Sequence, residues 1–400
     1  MKNRLLLLVI AALVLGAGAW LATSHSTART RATAVGTKVL PALPLDQVAR
    51  IVISAPGGTN TTLVRLNEQW VVAERANYPA DFAKLREAVQ KLTDMKIRQV
   101  VRVNPDQLDD LGLLPPGAHA GTGTTDRVAS EVAFQDAGGK TIAALRLGKP
   151  RMRSGGGAAG GMDLGGYPDG RYVACKDGEA LLVADSLEEL TSPIATWLDP
   201  TFIDVPVDQI AKMEVAGPNR APVVLTRQAG GGLTLSNVAT NKEADDYKIG
   251  RIGGALTGLR FADVAATGLM GSVTGLDQPV LLTAHCTDGR TVTIQLGATV
   301  TSASERYATV AIAYAPPPEA APPAGTNAAA LAAAKTRAAT DRAARDITAA
   351  EVRDLQSRLA PWCFKLSAYS ADAMLTPASE LVKDKPAPST NTTVTTKSEE

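Results

Sequence analysis

The chain repeats itself. Leu45–Ser54 reads LDQVARIVIS, and Val207–Ala216 reads VDQIAKMEVA. Asp, Gln and Ala recur at the same places, and the exchanges between them are mostly Leu for Val, Arg for Lys and Ile for Met. Further blocks follow in the same order. DFAKLREAVQKLTDMK from Asp81 matches DDYKIGRIGGALTGLR from Asp245, and DLGLLPP matches VTGLDQP. DAGGKTIAALRLG, ending at Gly148, matches CTDGRTVTIQLG, ending at Gly297. Arg171-Tyr172 matches Arg306-Tyr307, and LEELTSPIATW matches VRDLQSRLAPW, which sets Trp197 opposite Trp362. A duplicated chain folds as two copies of one plan, each with its own core. Two tandem homologous modules are therefore expected, 45–206 and 207–382. The chain has 400 residues, 45% of them apolar and 20% charged, enough hydrophobic mass for two cores.

Each module reads as α+β. In the first, Arg50–Ser54, Thr61–Leu66 and Trp70–Ala73 are short runs separated by turn residues, the pattern of a meander. A helix is expected from Asp81 to Thr93, with Asp81 as its cap and Phe82, Leu85, Val89 and Leu92 on one face. A strand at Ile97–Val103 follows. Then comes a hairpin of Val132–Gln135 and Thr141–Leu147, closed by Asp-Ala-Gly-Gly-Lys. Tyr172–Cys175 and Ala180–Ala184 are strands, and Leu187, Leu190, Ile194 and Trp197 mark a last helix. Strands and helices do not alternate as βαβ units, so the sheets are expected to be mainly antiparallel with helices on one face.

The modules differ in their insertions. The first carries a glycine loop at Arg151–Gly166. The second carries an Ala/Pro-rich insertion at 315–351. Its Pro-rich start is a stiff spacer, and its Ala-rich part should form a helix running on to Leu355 and Leu359. Residues 23–44 read as a linker and 383–400 as a disordered tail. At the N-terminus, Leu5–Ala22 carries no charge, and Lys2 and Arg4 precede it. As a helix it covers roughly 27 Å, close to the ~30 Å hydrocarbon core. One reading is a retained transmembrane helix over 1–22, with Trp20 at the interface; the other is a cleaved signal peptide ending at Ala17-Gly18-Ala19. No Cys follows the run, which argues against a lipoprotein anchor. Both readings place the bulk of the chain on the extracytoplasmic, periplasmic side of the cytoplasmic membrane.

The residues offer little for chemistry. Net charge is +1 and aromatics are 4%, against nucleic-acid binding. Three His and three Cys leave no multi-ligand metal pattern. Cys175, Cys286 and Cys363 read as small buried hydrophobes, with one long-range disulfide as the alternative. Gly155-x-Gly157-x-x-Gly160 lacks the strand and helix a dinucleotide site needs, and Gly139-Lys140-Thr141 reads as a hairpin turn. His25 and His119 fall in loops. His285 and Cys286 are neighbours in a strand, so their side chains point to opposite faces. The adjacent acids Asp109-Asp110 and Asp245-Asp246 read as helix ends, and Asp46-Gln47 and Asp208-Gln209 as turns or caps. Trp70, Trp197 and Trp362 read as core. No catalytic, cofactor-binding or metal-ligating residue is assigned, and no cofactor is expected.

LDQVARIVIS, LVRLNEQWVV, YPADFAKLREAVQKLTDMK, the DLGL element, LRLGK, RYVACKDGEALLVA and the helix ending at Trp197 together resemble the bacterial domain-of-unknown-function 4340 family over 45–206. The second module is a diverged copy, departing at GGGLTLSN, which lacks the strand Trp, and at the long insertion. The family has no attached catalytic residues, so none are carried over. The resemblance implies a membrane-anchored extracytoplasmic protein, often encoded beside gliding-motility-type ABC transporter components. The expected function is thus a non-enzymatic accessory or scaffold, with a transporter permease or envelope protein as partner. The alternative is an extracytoplasmic ligand-binding protein using a cleft between the modules. An envelope hydrolase with an unrecognised site is a third and lesser expectation.

Overall fold

The computed structural model describes residues 34–385, except 42, 105–106, 118–124, 154–166, 176–178, 267, 302–303 and 319–327. The expected span at 1–22, the first part of the linker, most of the glycine loop, most of the Pro-rich start of the insertion and the tail beyond 385 lie outside the described residues. Among the described residues no helix is long and apolar enough to cross a membrane. The chain divides into two compact units, Met1–Asp199 and Pro200–Glu400.

In the first unit, β1 (Arg50–Ser54), β2 (Asn60–Leu66), β3 (Gln69–Val72) and β4 (Tyr78–Pro79) precede helix α1 (Phe82–Asp94). After it come β5 (Ile97–Val101), β6 (Ser130–Gln135), β7 (Thr141–Arg153), β8 (Tyr167–Ala174) and β9 (Ala180–Val183). All nine strands join one sheet in the order β4-β3-β2-β1-β6-β7-β8-β9-β5. Its ladders are antiparallel. The turns follow from local chemistry. Asn67 and Glu68, both at positive φ, make the two-residue β2–β3 hairpin. Between β6 and β7, the Asp136 carboxylate accepts the Gly138 and Lys140 N–H groups at 2.9 Å.

The second unit comprises β10 (Ile210–Ala216), β11 (Val223–Arg227), β12 (Leu233–Leu235), β13 (Lys242–Ala244), α2 (Asp246–Gly253), β14 (Phe261–Val264), α3 (Gly271–Thr274) and β15 (Val280–Cys286). It continues with β16 (Arg290–Thr299), β17 (Glu305–Tyr314), α4 (Ala328–Leu359), β18 (Phe364–Ser367), α5 (Ala368–Met374) and β19 (Val382–Asp384). Its main sheet runs β12-β11-β10-β15-β16-β17-β18-β14. With β4 set aside, this is the order of the first sheet, strand for strand. In this unit β13 pairs with β19 in a separate two-stranded ladder.

Helix entry is built alike in both units. The Asp81 carboxylate accepts the Lys84 N–H at 3.0 Å, and the Asp245 carboxylate accepts the Lys248 N–H at 3.2 Å. The Asp81 N–H is donated to the Trp197 carbonyl, and the Asp245 N–H to the Leu381 carbonyl, both at 2.8 Å. Leu381, and not Trp362, therefore occupies the place of Trp197. The two Trp-ending blocks are no structural pair. One follows β9, whereas the other ends α4 and precedes β18. The expected helix over Leu187–Trp197 is also corrected. It is two 3₁₀ turns, Glu188–Thr191 and Ile194–Trp197, broken by extended Ser192 and by Pro193.

Three expected boundaries shift, two through burial of apolar side chains and one through strand pairing. Val39 and Leu40, placed in the linker, are buried, and the Val39 N–H bonds the Met95 carbonyl at 3.0 Å. In the second unit the core begins before 207. Phe202 makes edge contacts with Phe261 and Phe364 at 5.3 and 4.9 Å between ring centres. Residues 383–384 lie in β19 rather than in a disordered tail. As expected, the Ala-rich insertion is helical through to Leu359. Val352 and Leu359 are buried, while Ile347 stays exposed.

The repeated glycines Gly148 and Gly297 mark a close approach of backbone to backbone. A Cβ on Gly148 would stand 2.4 Å from the Leu111 carbonyl oxygen, and one on Gly297 2.0 Å from that of Thr274. Alanine at either position should destabilise its own unit by about 1–3 kcal/mol through overpacking. Hydrogen exchange read by mass spectrometry should show faster exchange in peptides of the substituted unit only.

Candidate functional site

The first unit holds an open apolar groove of about 400 Å³ between α1 and the sheet. Its floor follows from strand alternation. Ile51 and Phe134 lie opposite each other on β1 and β6 and are buried. Its wall is the apolar stripe of α1, where Phe82, Leu85 and Val89 share a face by helical spacing. Trp70 lines it from β3. The stripe is not fully covered. Leu85 is buried, but Phe82 is 60% exposed, and Leu45 beside the groove is 48% exposed. Two exposed arginines, Arg65 and Arg86, line the groove, and no acidic residue does. Among the described residues neither guanidinium has an ion pair or hydrogen bond.

The second unit has the same parts in a closed arrangement. Arg65 is paired with Trp70 across β2 and β3, and Arg227 with Leu233 across β11 and β12. Leu233 thus stands where Trp70 does. Counted from the capping aspartates, Gly253 on α2 stands where Val89 does on α1. A Cβ on Gly253 would meet Leu233 Cδ1 at 2.8 Å and Val207 Cγ2 at 3.5 Å. The helix backbone therefore packs against Leu233 at the position where α1 carries Val89. Arg227 is also tied down. Its Nε donates to the Ile210 carbonyl at 2.6 Å, and its terminal nitrogens donate to the Val207 and Gly231 carbonyls.

The other candidates resolve into structure. Gly155, Gly157, Gly160, His25 and His119 lie outside the described residues. Asp109 pairs with Arg127 at 3.3 Å, and Asp245 caps α2. Gln209 accepts from Arg290 at 2.7 Å and closes the turn before β10. His285 and Cys286 do face opposite ways. His285 Nδ1 lies 3.3 Å from Thr291 Oγ1, and its Nε2 lies 3.8 Å from Glu214. Glu214 pairs with Lys212 at 2.6 Å, and that hydrogen bond holds its carboxyl below the usual range. Among the described residues no disulfide joins Cys175, Cys286 or Cys363, so the disulfide alternative is set aside. Burial pushes the Cys286 and Cys363 thiols up, away from the nucleophilic thiolate. Among the described residues, no three His, Cys, Asp or Glu side chains gather as a metal site.

Trp197 is core as expected, 1% exposed under the Lys84 ammonium, which sits 4.9 Å from the ring centre. Trp70 departs from expectation, since it is half-buried and faces the groove. The available sequence signal was the copy itself, which lacks that Trp in GGGLTLSN and carries Gly at the matching helix position.

The two arginines that share a sheet position should respond differently to removal. Arg65→Ala should leave the urea midpoint unchanged, because an exposed side chain without a partner carries little stability. Arg227→Ala strips donors from three carbonyls and should cost about 1–3 kcal/mol. Equal losses in the two variants would contradict the assignment.

Compared with known proteins, the chain matches the family described as Domain of unknown function (DUF4340) over residues 70–279. No curated protein and no solved structure matches it. The matched stretch differs from the expected 45–206. It begins at Trp70, takes in α1 to β9, and continues through β10 to α3 in the second unit. With more than half of its 400 residues matched, the chain belongs to the DUF4340 family.

Proposed function

We propose that this chain is a non-enzymatic accessory protein of the cytoplasmic membrane. Leu5–Ala22 anchors it, and its two units are homologous tandem modules on the extracytoplasmic side, serving a membrane assembly of the gliding-motility-type ABC transporter class. The carrying observation is the contrast between the units. One copy of the plan keeps an open apolar surface with unpaired cations, and the other has filled the same space with its own side chains. Such divergence fits one recognition module beside one structural module. Exposed apolar surface rimmed by polar groups is characteristic of binding rather than of bond-making chemistry. The alternative, ligand binding, is also favoured by the groove, with its site inside the first unit in place of a cleft between modules.

The test is a crosslinked pull-down from detergent-solubilised membranes through a C-terminal tag, read by mass spectrometry. A transporter permease or ATPase should be recovered with the chain from the membrane fraction. Recovery of the chain alone from the soluble fraction would overturn the accessory role.

A further inference from the structure

We infer that the groove between α1 and the sheet of the first unit binds a single-chain anionic amphiphile, of which a long-chain carboxylate is the simplest member. This rests on the ligand-binding reading above. Three features of the groove carry it.

The first is shape. About 400 Å³ falls toward the small end of the ~300–1,000 Å³ usual for ligand pockets. That suits one alkyl chain better than the paired chains of a bilayer lipid. The second is lining. Leu45, Trp70, Phe82 and Val89 offer apolar surface, and Gln90 and Thr93 are the uncharged polar side chains of the lining. The body of the ligand is therefore selected for being apolar and flexible, not for a polar pattern. The third is charge. Arg65 and Arg86 line the groove without an acidic neighbour in the lining, and neither is used inside the fold. Arginine stays charged at any physiological pH, and its planar fork matches a carboxylate or phosphate.

The second unit supplies an internal control. There the equivalent arginine, Arg227, spends its donors on three carbonyls, and Leu233 against Gly253 fills the equivalent space. Filling and pairing go together in one copy; opening and unpaired charge go together in the other. A groove left open merely by loose packing gives no reason for its arginine to be released as well.

The test uses the full chain in phosphatidylcholine nanodiscs, with radiolabelled myristate as probe and empty discs subtracted. Myristate should bind saturably at one site per chain. The double variant R65Q/R86Q should weaken it roughly tenfold or more, since each charge-assisted pair is worth about that factor. Tetradecanol, with the same chain and no charge, should bind more weakly and be indifferent to R65Q/R86Q. Val89→Phe, which fills the groove from the helix, should abolish binding of both, with an unchanged circular dichroism spectrum as the folding control. The variant R227Q, at the matching place in the filled copy, should leave myristate binding as it is. If myristate and tetradecanol bind equally and R65Q/R86Q changes neither, the anionic assignment fails while the ligand-binding reading stands. If neither binds saturably, that reading falls with it. Displacement of myristate when the discs contain phosphatidylglycerol would give the groove to a bilayer lipid and overturn the single-chain assignment.

Discussion

A sheet with one apolar face must be covered, and how closely its covering helix can approach depends on the side chains between them. In both units a capped helix does the covering, entering at an aspartate and turning its buried positions to the sheet. What differs is the set of helix positions that face this space: Phe82, Arg86 and Val89 on α1 against Asp246, Gly250 and Gly253 on α2. Glycine at 253 brings the backbone of α2 against Leu233, whereas Val89 and Trp70 both line an open groove. Packing density in interiors is high enough that one branched side chain decides whether such a seam is solid or open. The exposure of Phe82 and the freedom of Arg65 both accompany that groove.

The second shared constraint is non-local. Each helix is oriented through its entry N–H, which is held by a carbonyl more than a hundred residues onward, at Trp197 or Leu381. The last segment of each unit thus fixes the angle at which the first helix meets the sheet. This explains why the ends of the units, including Val382–Asp384, are ordered parts of the fold.

Much of this was legible in the sequence because it is local. The Asn67-Glu68 and Asp136–Lys140 turns, the Asp81 and Asp245 caps, the α1 stripe and the LG pairs ending at Gly148 and Gly297 are all short-range patterns with a physical cause. The repeated blocks were equally visible, and the two main sheets share one strand order. What could not be read was pairing at a distance. The block ending at Trp362 offers the matching Trp, while Leu375-Thr376-Pro377 before Leu381 only faintly echoes Leu190-Thr191-Ser192-Pro193 before Trp197. Val39 and Leu40 carry no periodic signal, and only the sheet that covers them makes them core. The groove was hidden for the same reason. A helical stripe announces an apolar face, but the residues across from it decide whether the face is filled.

The insertion carrying α4 separates β17 from β18, whereas β8 and β9, at the same sheet positions in the first unit, are five residues apart in sequence. Closing a loop of about fifty residues in place of five costs about 2 kcal/mol more in chain entropy if the loop is flexible. A 32-residue helix changes those terms, since it forms locally and stiffens most of the connection into a rod of roughly 48 Å. Its last turns then dock by Val352 and Leu359, and Gln356 accepts the Ile312 N–H of β17. The docked end of the helix lies just before β18, so in the second unit the strand that follows the long connection starts from a fixed anchor.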